Sequence, residues 1–109
     1  MQRQFRLTNR RSFDYIYKHG KCFSDELFTL VCLEGKYPTY KVGFVAGKKV
    51  GKSVVRNKVR RRMREGFRKL DVKEYNSYIL VAHSSVSEAS FERVCESVKS
   101  LVEKAGKLK

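Results

Sequence analysis

The sequence predicts a single α+β domain with the element order α-β-β-α-β-α. Apolar residues recur at helical spacing, most clearly at Val55, Val59, Met63, Phe67 and Leu70. Three short runs, residues 27–33, 40–47 and 77–83, are apolar or alternate as strands do. A length of 109 residues with 41% apolar content suits one core, and the chain has no linker, repeat or low-complexity tract.

The elements follow in order. Residues 1–7 read as a flexible basic tail. Thr8 or Asn9 can cap a first helix running to about Lys18, closed by Gly20 in a left-handed conformation. Phe13, Ile16 and Tyr17 form its apolar face, and aromatics four residues apart ordinarily pack inward. Residues 27–33 (LFTLVCL) are apolar on both faces. A six-residue turn with Gly35 and Pro38 leads to residues 40–47, where Val42, Phe44 and Ala46 alternate inward. These two strands are expected to pair as an antiparallel hairpin. Lys48–Val50 can lengthen the second strand or add a short one.

Ser53 is the expected N-cap of the second helix. Gly66 within that helix costs about 1 kcal/mol relative to Ala, which suggests close approach to a neighbouring backbone. Residues 77–83 (SYILVAH) form the most apolar strand, expected at the centre of the sheet. Ser85 and Glu88 have capping-box spacing, with Ser87 competing, ahead of a last helix to about Ala105 closed by Gly106. Its apolar face holds Phe91, Val94, Cys95, Val98, Leu101 and Val102; its polar face mixes signs.

Charge is distributed unevenly. The chain carries 25 Lys/Arg against 11 Asp/Glu, a net +14, and all of that excess lies before residue 70. From Lys48 to Lys69 there are eleven Lys/Arg and one acid, Glu65. At about 100° per residue the apolar residues of this helix fill an arc of roughly 120°. Asn57, Arg61, Arg64 and Arg68 fall opposite, Arg60 and Lys58 flank them, and Arg56 and Arg62 lie nearer the apolar arc. A solvated helix face normally mixes signs and gains from i,i+4 pairs. Like charges this dense repel one another unless a polyanion offsets them. The pattern points to nucleic acid as the partner of one binding domain spanning residues 1–109.

Other classes are disfavoured. No apolar run approaches the 18–20 or so residues of a membrane span, and no membrane partner is expected. The first residues lack the apolar core of a signal peptide, and three cysteines (Cys22, Cys32, Cys95) without paired spacing suit reduced thiols, so the expected location is the cytoplasm. Two histidines and no C-x-x-C leave no metal-site pattern, and no catalytic constellation is visible. Residues 46–53 (AGKKVGKS) fit a loose phosphate-binding loop. The eight Lys/Arg that follow within residues 56–69, and the lack of an aspartate ending a later strand, argue against nucleotide hydrolysis. RNKVRRRMRE also resembles a leucine-zipper basic region, but Gly66 and the polar stretch after Leu70 stop any continuous zipper helix.

The run Arg56-Asn57-Lys58-Val59-Arg60-Arg61-Arg62-Met63-Arg64-Glu65 closely resembles the arginine-asparagine motif of the protein subunit of bacterial ribonuclease P, roughly R-N-x-x-(K/R)-R-x-x-R-(E/Q). Two further segments match in the family's order: Arg6-Leu7 with Phe13, Ile16, Tyr17, Lys18 and Gly20, then Lys41-Val42-Gly43 with Lys48-Lys49 and Gly51. The resemblance spans nearly the whole chain. It implies a two-layer α/β sandwich like the second domain of ribosomal protein S5, α-β-β-(β)-α-β-α, with a mixed four-stranded sheet. It also implies a left-handed β-α-β crossover, opposite to the general rule.

For function, the resemblance implies a non-catalytic subunit of a ribonucleoprotein endoribonuclease that removes the 5′ leader of precursor tRNA. Residues 1–109 would then be a single RNA-binding domain whose partners are a catalytic RNA, which with Mg2+ performs the chemistry, and precursor tRNA; no DNA is expected and no protein oligomer is required. Carried over by position, Lys48, Lys49, Lys52, Arg56, Asn57, Lys58, Arg60, Arg61, Arg64 and Arg68 would contact catalytic RNA. Phe13, Tyr17, Thr29 and Val31 would line a cleft for the single-stranded leader, with Val31 standing where the family often has an aromatic. Catalytic and metal-binding residues are expected to be none. Without the resemblance, the charge pattern also fits another structural RNA-binding protein of ribosomal type.

Overall fold

The structure, a computed structural model, describes residues 5–35 and 38–109. Residues 1–4 of the expected tail and 36–37 of the expected turn lie outside them. The elements are α1 (Arg10–His19), β1 (Lys21–Ser24), β2 (Phe28–Glu34), β3 (Lys41–Ala46), α2 (Ser53–Arg68), β4 (Asn76–Ala82) and α3 (Phe91–Lys104). Short 3-10 turns occupy Lys48–Val50 and Ser84–Glu88. The sheet order is β1-β2-β4-β3, antiparallel except for the parallel β3–β4 pair. This is the mixed four-stranded α+β architecture that the sequence led us to expect.

Its internal pairing departs from expectation in two places. The hairpin of residues 27–33 with 40–47 does not form, because β4 lies between β2 and β3. Tyr78, Ile79 and Leu80 of β4 are all fully buried, so this strand needs cover on both faces and a neighbour on each side. The crossover through α2 is long enough to bring β3 alongside it in parallel. The fourth strand is not an extension at Lys48–Val50 but β1, whose four residues are too short for alternation to be read.

The two sheet faces are unlike. Phe28, Leu30, Cys32, Val42, Tyr78 and Leu80 join Val59, Met63 and Phe67 of α2 and Val94, Val98, Leu101 and Val102 of α3 in the main core. Each such fully buried side chain contributes about 1.5–3 kcal/mol. On the opposite face Ile16 of α1 packs against Val31 and Ile79 in a second, smaller cluster. With only ten residues, α1 leaves part of that face uncovered.

Several termini differ from their sequence reading. Asn9 caps α1, its Oδ1 accepting from the Arg11 N–H at 2.9 Å. Gly20 is extended (φ −77°), not left-handed. It is needed for space, since a Cβ there would lie 2.6 Å from the Ile16 carbonyl oxygen and 2.8 Å from Val31 Cγ1. Lys52, not Ser53, occupies the α2 cap position, and the Ser53 hydroxyl instead accepts from Arg56. Ser90 caps α3, because Ser85 and Ser87 are committed to the carbonyls of Glu26 and Ser84. Gly106 does close α3, at φ +71°. Residues 5–7 are held rather than loose: Phe5 stacks on Tyr40 at 4.6 Å and the Leu7 N–H donates to the Val42 carbonyl at 2.9 Å.

Candidate nucleic-acid interface

The first half of the interface is a cationic ridge on α2. Val59, Met63, Gly66 and Phe67 face the core, which turns Asn57, Lys58 and Arg61 into solvent. Among the described residues, the side chains of Lys48, Lys49, Lys52, Lys58, Arg61 and Arg64 make no hydrogen bond or ion pair, so their mutual repulsion is not compensated internally. The start of α2 compounds this. It has no side-chain cap and no acid in its first turn, while three lysines crowd the positive end of its dipole. Gly51, at φ +150°, turns the chain from the Lys48–Val50 segment into the helix; a Cβ there would press to 3.0 Å from Val55. Val50 is buried, so this glycine turn is anchored in the core at the start of α2.

The other cations of the ridge are partly engaged. Arg60 bonds Asn57 Oδ1 and reaches the Ala46 carbonyl at 3.5 Å, pinning α2 to the end of β3. Arg56 is half-buried, donates to Ser53 at 3.2 Å and keeps a buried Nε with no hydrogen-bond partner. Arg68 pairs with Glu65 at 2.6 Å on an exposed surface, a contact of small net value. Arg62 folds back toward the Ala89 carbonyl at 3.4 Å, which places it on the core side of the ridge, as its helical angle predicts.

The second half is a trough on the sheet face that α1 leaves open. Strand register sets Ser24, Thr29, Val81 and Val45 in one row across its floor, and the last three are half-buried. Phe13 and Tyr17 form the α1 wall, their ring centroids 6.5 Å apart. Tyr17 is 44% exposed, enough to stack on a ligand. Partial burial, reinforced by Asp14, raises its phenol above the ordinary value, so it stays a neutral donor. Phe13 lies against Gly43: a Cβ there would stand 2.4 Å from the ring's Cζ. Val31, two residues from Thr29 along the same sheet face, is only 1% exposed: Ile16 of α1 covers it, so it packs under the helix beside the floor row and does not line the trough.

Ridge and trough meet at the edge of β3. Arg6, Leu7, Phe13, Val42, Gly43, Phe44 and Arg64 line one small cleft of about 140 Å³. A single strand lying in the trough can therefore stack on α1 aromatics while its phosphates approach the α2 cations. Sequence reasoning missed Ser24, Val45, Val81 and His83 of this site. Their placement depends on strand register, and the only local hint was the period-2 alternation linking Val81 and His83.

Among the described residues, no three His, Cys, Asp or Glu side chains could hold a metal ion together, and no helix is long and apolar enough to cross a membrane. Comparison with known proteins bears on family and fold. The family model for ribonuclease P matches residues 1–106. The chain is 36% identical over 101 residues to the ribonuclease P protein component of Clostridioides difficile, covering 90% of this chain and 89% of the relative. It is 35% identical to that of Clostridium kluyveri over 106 residues, covering 94% and 95%. The structure of the RNase P protein from Thermotoga maritima superimposes with a TM-score of 0.83 at 28% identity, covering 91% of this chain and 96% of that one. The Staphylococcus aureus RNase P protein, 23% identical, shares the fold with a TM-score of 0.88, covering 96% and 98%. The chain belongs to the ribonuclease P protein family.

Proposed function

We propose that this chain binds the catalytic RNA of ribonuclease P and the 5′ leader of precursor tRNA, assisting endonucleolytic removal of the leader in the cytoplasm. The observation that carries this reading is the cleft at the β3 edge, where Phe13 of the trough and Arg64 of the ridge line one space. The ridge residues Lys48, Lys49, Lys52, Arg56, Asn57, Lys58, Arg60, Arg61, Arg64 and Arg68 neutralise phosphates where two RNAs are forced together. In the trough, Phe13 and Tyr17 stack on leader bases, which is worth about 1–3 kcal/mol per base. Thr29 supplies a polar floor, and Val31, packed against Ile16, holds α1 on the sheet beside it.

In this reading the RNA partner carries the chemistry and the Mg2+. The ridge is cationic and the floor row of the trough holds no carboxylate, a donor set unsuited to a hard dication. The chain's contribution is affinity and position, with no protein oligomer required. The test is precursor-tRNA cleavage by a bacterial catalytic RNA at low magnesium. Adding the protein should restore cleavage; unchanged cleavage would refute the reading.

A further inference from the structure

The floor of the trough contains a hydrogen-bond chain that no residue of the ridge touches. Ser24 Oγ lies 2.8 Å from Thr29 Oγ1, and Thr29 Oγ1 lies 2.8 Å from His83 Nε2. The other ring nitrogen, His83 Nδ1, faces the Glu26 carbonyl oxygen at 3.2 Å. The His83 backbone N–H is fixed to the Leu27 carbonyl at 2.8 Å. Ser24 is exposed, Thr29 and His83 are half-buried, and Ser24 is the end of the chain open to a ligand.

Donor and acceptor roles follow from the chemistry of the endpoints. A carbonyl oxygen only accepts, so Nδ1 carries the proton of the neutral ring. Nε2 then accepts from the Thr29 hydroxyl, and Thr29 accepts from Ser24. In this state the Ser24 proton is committed inward, and its oxygen offers the trough only lone pairs. A protonated ring donates from both nitrogens. Nε2–H then donates to Thr29, the Thr29 proton turns to Ser24, and the Ser24 proton points into the trough. One proton gained at His83 converts the exposed end of the chain from acceptor to donor and adds a positive charge.

We propose that His83, acting through Thr29 and Ser24, is a proton-controlled positioning residue that sets which base edges the trough accepts. Histidine is the side chain whose charge ordinarily changes between about pH 5 and 8. Charged groups on the adjoining elements are Asp25 and Glu26 in the β1–β2 turn, Lys48 and Lys49 in the turn that packs against residues 84–88, and Glu88 in that segment. Asp25 is bound to Leu27, Phe28 and Ser97, and Glu26 to Arg93 at 2.6 Å. With the ring neutral, the trough favours amine-bearing edges (adenine, cytosine). With it protonated, the trough favours carbonyl-bearing edges (uracil, guanine).

This inference rests on the leader-binding reading, and the test separates the two. Pairs of precursor tRNAs differing at a single leader base, amine-bearing against carbonyl-bearing, compete in one reaction with the reconstituted holoenzyme from pH 5.5 to 8. The product ratio cancels the pH dependence of the chemical step. At one leader position it should shift about five-fold towards the carbonyl base as pH falls, the scale of one hydrogen bond. His83→Gln, Thr29→Val and the exposed Ser24→Ala should each flatten that dependence. A ratio independent of pH in the wild type, or a shift that persists in all three variants, overturns the proposal. Equal affinity of the wild-type complex for precursor and mature tRNA at every pH overturns the leader-binding reading itself.

Discussion

Phe13 and Arg61 represent the two kinds of residue on which the site depends. Phe13 is held by the absence of a side chain at Gly43, so Gly43→Ala should push the ring off the sheet. We expect Gly43→Ala and Phe13→Ala to weaken binding of precursor tRNA by about 1–3 kcal/mol while leaving mature tRNA binding unchanged; titration of both RNAs checks this. Among the described residues the Arg61 side chain has no hydrogen-bond or ion-pair partner, so Arg61→Ala should weaken RNA binding without lowering the denaturation midpoint. Val59, 5% exposed and two residues away on the opposite face, should do the reverse: Val59→Ala costs about 2 kcal/mol of stability through a cavity. If both variants lose only stability, the two-faced helix is the wrong description of α2.

At the scale of elements, α2 shows how far local pattern carries. The core residues Val59, Met63 and Phe67, the cationic front and the inward turn of Arg62 were legible from angular spacing, since the period of a helix is fixed by its backbone. Val55, expected on the same stripe, is instead 36% exposed in the first turn of α2. The strand partners were not legible. Whether residues 40–47 pair with 27–33 or with 77–83 depends on which strand takes the centre, a competition decided by two-sided burial of Tyr78, Ile79 and Leu80. Hence Phe13 and Tyr17 were identified through family resemblance, whereas Ser24, Val45, Val81 and His83 became visible only with the register. Val31 was named as a lining residue from the resemblance; alternation does put it on the trough face, but only the structure shows that Ile16 covers it. Gly66 is a further case. Its neighbour Cys95 would sit 3.5–3.6 Å from an added Cβ, an ordinary contact. Gly66→Ala should therefore stabilise the fold by about 1 kcal/mol, read as a raised denaturation midpoint.

For the whole molecule, the decisive quantity is charge asymmetry. The cations of residues 48–64 have no internal counter-ions, whereas the C-terminal third pairs Arg93 with Glu26, Lys107 with Glu34, and Lys109 with Asp71 and Glu74. If about five ridge cations meet phosphates, log affinity should fall with log salt at a slope of about −3.5 to −4.5. A slope near zero would remove the electrostatic account. The same self-repulsion implies that free protein gains stability as salt rises, and that a polyanion raises the denaturation midpoint. The most direct test of the central claim, that ridge and trough act together to select RNA carrying a leader, is the affinity of the assembled ribonucleoprotein for precursor and mature tRNA. The structure predicts tighter binding of the precursor, lost with Phe13→Ala; equal affinity for the two RNAs would contradict it.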